Sequence, residues 1–319
     1  MRFLARRLIN AVLTLFAVSV LGFLFSSFAP GDFFAEMRMN PQLRPETVAA
    51  LRAEYGLDQP LIVRYGRWLD SAWRGEFGYS FAYIQPVGQL LLPRARNTLL
   101  LSGLSLGLSW LIAVPIGVLA GVRRLPFLSR AVEFFNAGVL AIPELVLALA
   151  FLWIAARTRW LPVGGMASLD FSHLSSWGQA RDVARHLFLP VLVMVFIELP
   201  TVHRHVRATV AEAWEMPIIR FAIGHGIPRA RLYRFALRTA ANPLISLLGY
   251  SAGTLLSASL LVEIVFGWPG IGPLFLEAIL ARDLFVVVDT VLLSSVFLVA
   301  GNLLADALLF AADPRIRVK

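Results

Sequence analysis

Six long apolar stretches, parted by arginine-bearing segments, take up most of the chain. Their bounds are about 8–29, 97–122, 134–156, 187–206, 239–263 and 286–311. A helix needs about 20 apolar residues to cross the ~30 Å hydrocarbon core of a bilayer. The first two stretches carry no charged residue, and the third carries only Glu144. The fourth holds Glu198, His203 and Arg204 towards its end, the fifth closes on Glu263, and the sixth holds Asp289 and Asp306. Backbone amides have no water partners in hydrocarbon, so such stretches must be helical. The pattern therefore predicts an all-α integral membrane protein with six transmembrane helices and a single domain over 1–319.

Two intervening segments have structure of their own. In 30–96, the stretch 45–55 places Val48, Leu51 and Tyr55 at helical spacing, closed by Gly56 and Pro60. The stretch 62–73 then sets Tyr65, Trp68, Leu69 and Trp73 on one side, predicting an amphipathic helix packed on the tops of the spans. In the loop 207–240, Val210–Phe221 is helical in pattern and Gly224 and Gly226 break it. A second helix follows over Arg229–Ala241, with Pro228 at its start, where a missing N–H costs little. Leu232, Phe235, Ala236 and Thr239 share one face, while Arg231, Arg234 and Arg238 lie elsewhere. Two short helices about a glycine turn make a compact knob suited to docking. A basic hairpin lying on anionic lipid is the simpler alternative.

Within the spans, the pairs Gly103/Gly107, Gly117/Gly121 and Gly249/Gly253 have the spacing that lets helix backbones approach. Pro115, Pro143, Pro190, Pro200 and Pro243 are expected to kink or end helices.

Charge fixes the orientation. Arg2, Arg6 and Arg7 precede the first stretch, Arg123, Arg124 and Arg130 follow the second, and Arg315, Arg317 and Lys319 follow the sixth. The loop before the fifth adds Arg204, Arg207, Arg220, Arg229, Arg231, Arg234 and Arg238. All of these fall on one side if the N-terminus is cytoplasmic, and so does the C-terminus. The basic start resembles a signal peptide, but its apolar stretch is too long and lacks a clean cleavage site, so it is expected to stay as the first helix.

The same placement explains the net charge of +9 without nucleic acid as a partner. With 58% hydrophobic and 15% charged residues, the chain is composed for solvation by lipid. It has no cysteine, which excludes disulfides and thiolate sites. A phosphate-binding loop needs its lysine, and the only lysine is Lys319. No paired-histidine or nucleophile motif stands out, so the chain is expected to be no enzyme and to hold neither metal nor cofactor.

Acids at membrane depth are costly and therefore informative. Glu144, beside Pro143, is read either as a pathway group that meets an amine or as half of a pair with another span. Glu198 is expected to form a structural ion pair with His203 or Arg204. Glu263 is expected, on its position alone, to cap the turn that follows it. Asn302 and Asp306 are expected to tie the sixth span to its neighbours, and Asp289 to snorkel outward.

The motifs then point to a family. They are Arg6-Arg7-Leu8, Ala29-Pro30-Gly31-Asp32, LRAEYGLDQP at 51–60, Arg67-Trp68-Leu69 and GEFGYS at 75–80. WLPVG at 160–164, RFALRTAANP at 234–243, VEIVFGWPGIG at 262–272 and DPRIR at 313–317 follow in order. Together, nearly end to end, they resemble the B-type permease subunit of dipeptide and oligopeptide binding-protein-dependent ABC importers. The chain departs from that pattern at Arg220–Gly226, which reads RFAIGHG, and at Glu144, where a small polar residue is usual.

The resemblance implies a type I importer permease that forms half of the translocation pathway. It implies a second permease of a different but homologous sequence, two cytoplasmic ATPases carrying ATP-Mg, and an extracytoplasmic substrate-binding protein. It assigns ATPase coupling to 207–240, with Ile218, Arg220, Ala222, Gly226, Arg231, Arg234 and Arg238 as contact residues, and the pathway to Glu144 and Glu263. The alternatives are a secondary transporter driven by an ion gradient, which would want internal inverted repeats, and a permease for another solute such as nickel chelates.

Overall fold

The computed structural model describes residues 2–28, 34, 46, 50, 52–53, 56, 58–122 and 126–312. The helix expected over 45–55 falls mostly outside these residues, as do Arg123, Arg124 and the DPRIR motif.

The described chain is helical with one small hairpin. Helix α1 is Arg2–Phe28 and α2 is Leu61–Trp73. Strands β1 (Tyr79–Ser80) and β2 (Gln85–Pro86) pair antiparallel, Tyr79 opposite Pro86 and Ser80 opposite Gln85. Then come α3 (Val87–Gly121), α4 (Pro126–Leu140), α5 (Glu144–Thr158), a 3-10 turn at Phe171–His173, and α6 (Ser176–Trp214). Helices α7 (Pro217–Gly224), α8 (Arg229–Thr239), α9 (Ala241–Val265), α10 (Ile271–Leu280) and α11 (Leu284–Ala312) complete it. Five of the helices are long and apolar enough to cross a membrane, and the pair α4–α5 makes a sixth if counted as one span.

That pair departs from the uninterrupted third span read from 134–156. The two helices meet at 100°. Proline disfavours the helical region for the residue before it and brings no N–H of its own. Ile142 accordingly leaves the helix, and Pro143, with φ −57° and ψ 141°, becomes the N-cap of α5. The Leu147 amide donates to the Pro143 carbonyl at 3.0 Å, the first bond of the new helix. Pro190 and Pro200 behave differently: α6 runs through both for 39 residues. Neighbouring helices pack along it, and more than half of its apolar window is buried within the chain.

The fold divides into two compact units. The first comprises Met1–Arg7, Leu99–Trp268 and Leu298–Lys319. Helix α6 is its axis. One core joins α5, α6 and α9 through Leu147, Ala148, Val193, Met194, Leu255 and Val262. A second continues along α6 through Val202, Val206, Val210 and Ala213 and on to Ile219, Ala236 and Leu244. Glycine spacing matters here. A Cβ on Gly117 would stand 2.7 Å from Val206, and one on Gly121 would stand 2.9 Å from the Arg207 carbonyl oxygen. A Cβ on Gly249 would lie 2.7 Å from Ala305. Gly103 and Gly107 meet nothing within 4 Å. Only two of the three glycine pairs therefore serve packing inside the first unit.

Polar groups join the same helices. Glu133 on α4 pairs with Arg207 on α6 at 2.6 Å. Asn136 and His203 share a buried hydrogen bond of 2.9 Å. Asp306 pairs with Arg7 at 3.2 Å, which bears out its role as a tie. Glu198 does not pair with His203 or Arg204, because residues five and six apart on a helix do not face each other. Its neighbours are the Ser251 and Thr254 hydroxyls of α9.

The second unit comprises Leu8–Thr98 and Pro269–Phe297. In α2, Trp68 is buried among Phe23, Tyr65 and Val288. Trp73, expected on the same side, is almost fully exposed. Five positions advance a helix by some 500°, which turns Trp73 well away from Trp68. Asp283 organises the hairpin. Its Oδ2 accepts from the Ser80 hydroxyl at 2.7 Å and the Ala82 amide at 3.2 Å, and its Oδ1 accepts from Val286 at the start of α11. Tyr83 at the hairpin tip donates its hydroxyl to Glu277 on α10. Burial, then this bond to a carboxylate, pushes the phenol up to about 12.

Two outcomes follow. Gly121→Leu should destabilise the isolated chain by at least about 2 kcal/mol through overpacking against α6, whereas Gly103→Leu should leave it unchanged, as read by thermal unfolding in detergent. The Tyr83 contact is worth most while the phenol is neutral. Its contribution should be complete below about pH 10, the unfolded value, and fade as pH rises through about 12. A spectrophotometric titration of the chain against Tyr83→Phe should show one phenol ionising late.

Candidate functional site

The loop before α9 folds as a knob fixed to the inner end of α6. Helix α6 ends at Trp214, and Met216 then caps a new helix with Pro217 in its first turn, where the absent N–H is harmless. Eight residues later α7 stops. Gly226 takes φ +69°, a conformation that costs a residue without Cβ little. The Ile227 amide reaches back to the Ala222 carbonyl at 3.1 Å and closes the turn. Pro228 caps α8, which carries Arg238 in its last turn, where a cation suits the helix dipole.

The two helices bury a few residues and present the rest. Ile219, Leu232 and Ala236 face inward, each at most 4% exposed. Ile219 and Ala236 join the core built on Val206, Val210 and Ala213 of α6 and Leu244 of α9. Trp214 at the end of α6 stacks on Tyr233 of α8, with ring centroids 5.4 Å apart and planes 25° off parallel. This pins α8 to the membrane helix. On the outer face stand Ile218, Phe221 and Ile223, with half or more of each side chain exposed. His225 packs against Phe221, with ring centroids 3.9 Å apart and planes tilted by 33°. Arg220 on α7 and Arg231, Arg234 and Arg238 on α8 are all exposed.

Of the coupling residues read from the sequence, Ile218, Arg220, Gly226, Arg231, Arg234 and Arg238 are exposed on the knob and Ala222 is half-buried. Phe221 and Ile223 were missed. Part of the signal was present: Phe221 is three positions from Ile218 and shares its side of α7, whereas Ile223 lies four positions after the buried Ile219 and its exposure cannot be read from spacing. The Trp214–Tyr233 stack was also missed. Those residues lie 19 apart, and their meeting depends on the fold of the turn.

The two acids assigned to a pathway have different surroundings. Glu144 is exposed at the first turn of α5. It takes no hydrogen bond or ion pair among the described residues, and its charge meets the positive end of the helix dipole. Glu263 is fully buried. Around it, the Trp268 amide donates to the Glu263 carbonyl at 2.8 Å and Trp268 is itself buried. Gly165, the residue after the WLPVG motif, donates to the Phe266 carbonyl at 2.9 Å. The carboxylate thus belongs to the packed turn after α9 and reaches no surface of the chain. Asp289 does not snorkel outward either. It is 2% exposed and accepts from Trp68 at 3.1 Å. No group of three or more metal-ligating side chains occurs among the described residues.

Comparison with known proteins is consistent along the whole chain. Residues 113–318 match the family described as binding-protein-dependent transport system inner membrane component. Residues 1–102 match the N-terminal family of the same membrane components. The chain is 31% identical over 317 residues to the oligopeptide transport system permease protein AppB of Bacillus subtilis (strain 168), covering 98% of each chain. It is 33% identical over 317 residues to a probable peptide ABC transporter permease protein, y4tP, of Sinorhizobium fredii, covering 99% of each. It is 30% identical over 337 residues to the dipeptide transport system permease protein DppB of Escherichia coli (strain K12), covering 100% of this chain and 99% of that one.

The anchoring of the knob can be separated from its outer face. Ile219→Ala should cost roughly 2–5 kcal/mol, as for other buried isoleucines. Ile218→Ala on the outer face should change stability by less than about 0.5 kcal/mol. Thermal unfolding of the two variants in the same detergent compares them directly.

Proposed function

Because the chain belongs to the family of binding-protein-dependent transport system inner membrane components, we propose that it receives the power stroke of an ATP-driven peptide importer through the knob at 215–240. It is a multi-pass protein of the bacterial inner membrane and a permease subunit of a peptide ABC importer. The finer assignments are these. A second, homologous permease completes the translocation pathway. Two ATPases dock on the cytoplasmic side and carry the ATP-Mg, so this chain performs no hydrolysis itself. An extracytoplasmic binding protein delivers di- or oligopeptides.

One observation carries the coupling role: the knob combines a stiff base with an open, mixed apolar and basic face. Its core is continuous with that of α6 and α9, so a push on Ile218 or Phe221 moves whole helices. Rigid-body motion of this kind needs a lever that does not deform. A loop built only to lie on lipid would not need the Trp214–Tyr233 stack or the buried Ile219. The exposed arginines of α7 and α8 are the kind of charged group that sets partner choice and encounter rate. Within the pathway, Glu144 is the acid we assign to peptide amines. It is exposed where α4 and α5 break, and proline fixes its place. The burial of Glu263 favours a role in holding the turn after α9.

The charge-reversed pair Arg234→Glu and Arg238→Glu should leave membrane insertion intact and reduce ATPase co-purification by roughly tenfold, as expected when rim cations meet an acidic partner surface. Full ATPase recovery with the double variant would place the docking surface elsewhere.

A further inference from the structure

Helix α4 is apolar in composition, yet the one buried side chain it has among the described residues is Asn136. Phe127 and Phe134 are largely exposed, and none of the described residues of α4 belongs to the two apolar cores along α6. What joins α4 to α6 is a ladder of side chains. Glu133 pairs with Arg207 at 2.6 Å, and both are partly exposed. One turn deeper, Asn136 meets His203 at 2.9 Å, and these two are 2% and 1% exposed. Spacing sets the rungs, since three residues on α4 and four on α6 each keep to one face. Phe196, seven residues before His203, continues that face of α6. It meets Phe135 of α4 and Phe151 of α5, with ring centroids 5.5 Å and 5.3 Å away. One ring therefore touches both arms of the broken pair.

The inner rung is incomplete. Asn136 Oδ1 and His203 Nε2 are both buried without a hydrogen-bond partner. Turning the amide over changes only which of its atoms goes unmet, and the second imidazole nitrogen goes unmet in either tautomer. A buried polar atom without a partner carries a cost that an apolar pair of the same shape would not. A helix pair built to stay closed gains nothing from it. The cost falls away only when the helices part and water reaches both side chains. By the charge pattern, α4 begins at the cytoplasmic face. Water then has a short way in, past the partly exposed Glu133 and Arg207.

We propose that Asn136 and His203 form a clasp that opens and closes in each transport cycle, with α4 swinging about the break at 141–143 while α6 stays with the knob. Both are positioning residues, acting on transport through the place of α4. Closed, the clasp fixes α4 at 100° to α5, and with it the turn that leads into Glu144. Open, the amide and the imidazole are hydrated, and the contacts of Phe196 with Phe135 and Phe151 serve as the pivot. The unmet polar atoms keep the closed state from being too stable to leave, whereas an apolar pair would lock it. The cycle rests on the importer reading; the clasp rests on the ladder alone.

The test uses the whole transporter with its partner subunits, in nanodiscs for stability and exchange and in proteoliposomes with its binding protein for import. Asn136→Leu combined with His203→Phe replaces the inner rung by an apolar pair. Its unfolding temperature should stay level or rise, and ATP hydrolysis should persist. Peptide import should fall roughly tenfold, the population shift that one unmet buried polar group is worth. His203→Gln, which can still bond to Asn136, should import near the native rate. Hydrogen exchange over 133–140 of the native chain should be faster in one of two states, nucleotide-free or vanadate-trapped, and slow in both for the apolar pair. The native comparison decides the matter even where the double variant does not fold. Full import with the apolar pair, or import lost in step with its stability, would overturn the clasp. So would equal exchange in the two native states, or lost import in His203→Gln, which would give the role to the imidazole itself. A native transporter that hydrolyses ATP and imports no peptide would remove the importer reading and leave the exchange difference to judge the clasp.

Discussion

The burial of α6 is the constraint on which the rest of the first unit depends. This helix is longer than a bilayer needs, and its packed face does not stop at the membrane boundary. Val193 and Met194 pack with α5 and α9, Val202 and Val206 pack against α3 and its glycines, and Val210 and Ala213 pack under the knob. Water and lipid are excluded along one continuous seam. Through it the two helices of 215–240 are held to the membrane core without a hinge at Trp214, although the helix itself ends there. Proline at 190 and 200 is tolerated because the surrounding helices hold the chain in helical form where the local hydrogen bonds are lost.

The two units divide the work of the chain. The first carries the knob, its base and the broken helix pair with Glu144. The second carries the hairpin organised by Asp283 and the aromatic cluster around Trp68. Each buries its costly groups differently. In the first, Glu133 meets Arg207 and Asn136 meets His203. In the second, Asp283 is saturated with donors, while Asp289 has one oxygen met and one unmet.

Much of this was legible in the sequence, and the limits have physical causes. Spans are legible because lipid tolerates nothing but apolar helices over that length. The knob was legible because Gly226 and Pro228 punctuate two short helical patterns. The break at 141–143 was only half legible: the proline rule that breaks α4 from α5 applies equally to Pro190 and Pro200, and packing decides between them. The glycine pairs read alike, yet Gly117 and Gly121 touch α6 while Gly103 and Gly107 touch nothing in the chain. Asp283 had a local signal as a helix cap before an apolar run. Asp289 had none, since its partner Trp68 is 221 residues away. Contacts of that range are products of the fold and cannot be read from spacing.

The central claim is that the face bearing Ile218 and Phe221 is presented to the cytoplasm on a rigid base and is covered by an energy-supplying partner. The chain contains no cysteine, so Ile218→Cys would be its only thiol. A membrane-impermeant maleimide should label it in inside-out vesicles stripped of peripheral proteins, fail to label it in intact spheroplasts, and be blocked when the ATPase subunits are restored. Labelling in intact spheroplasts, or labelling in vesicles that the restored ATPases do not reduce, would contradict the account.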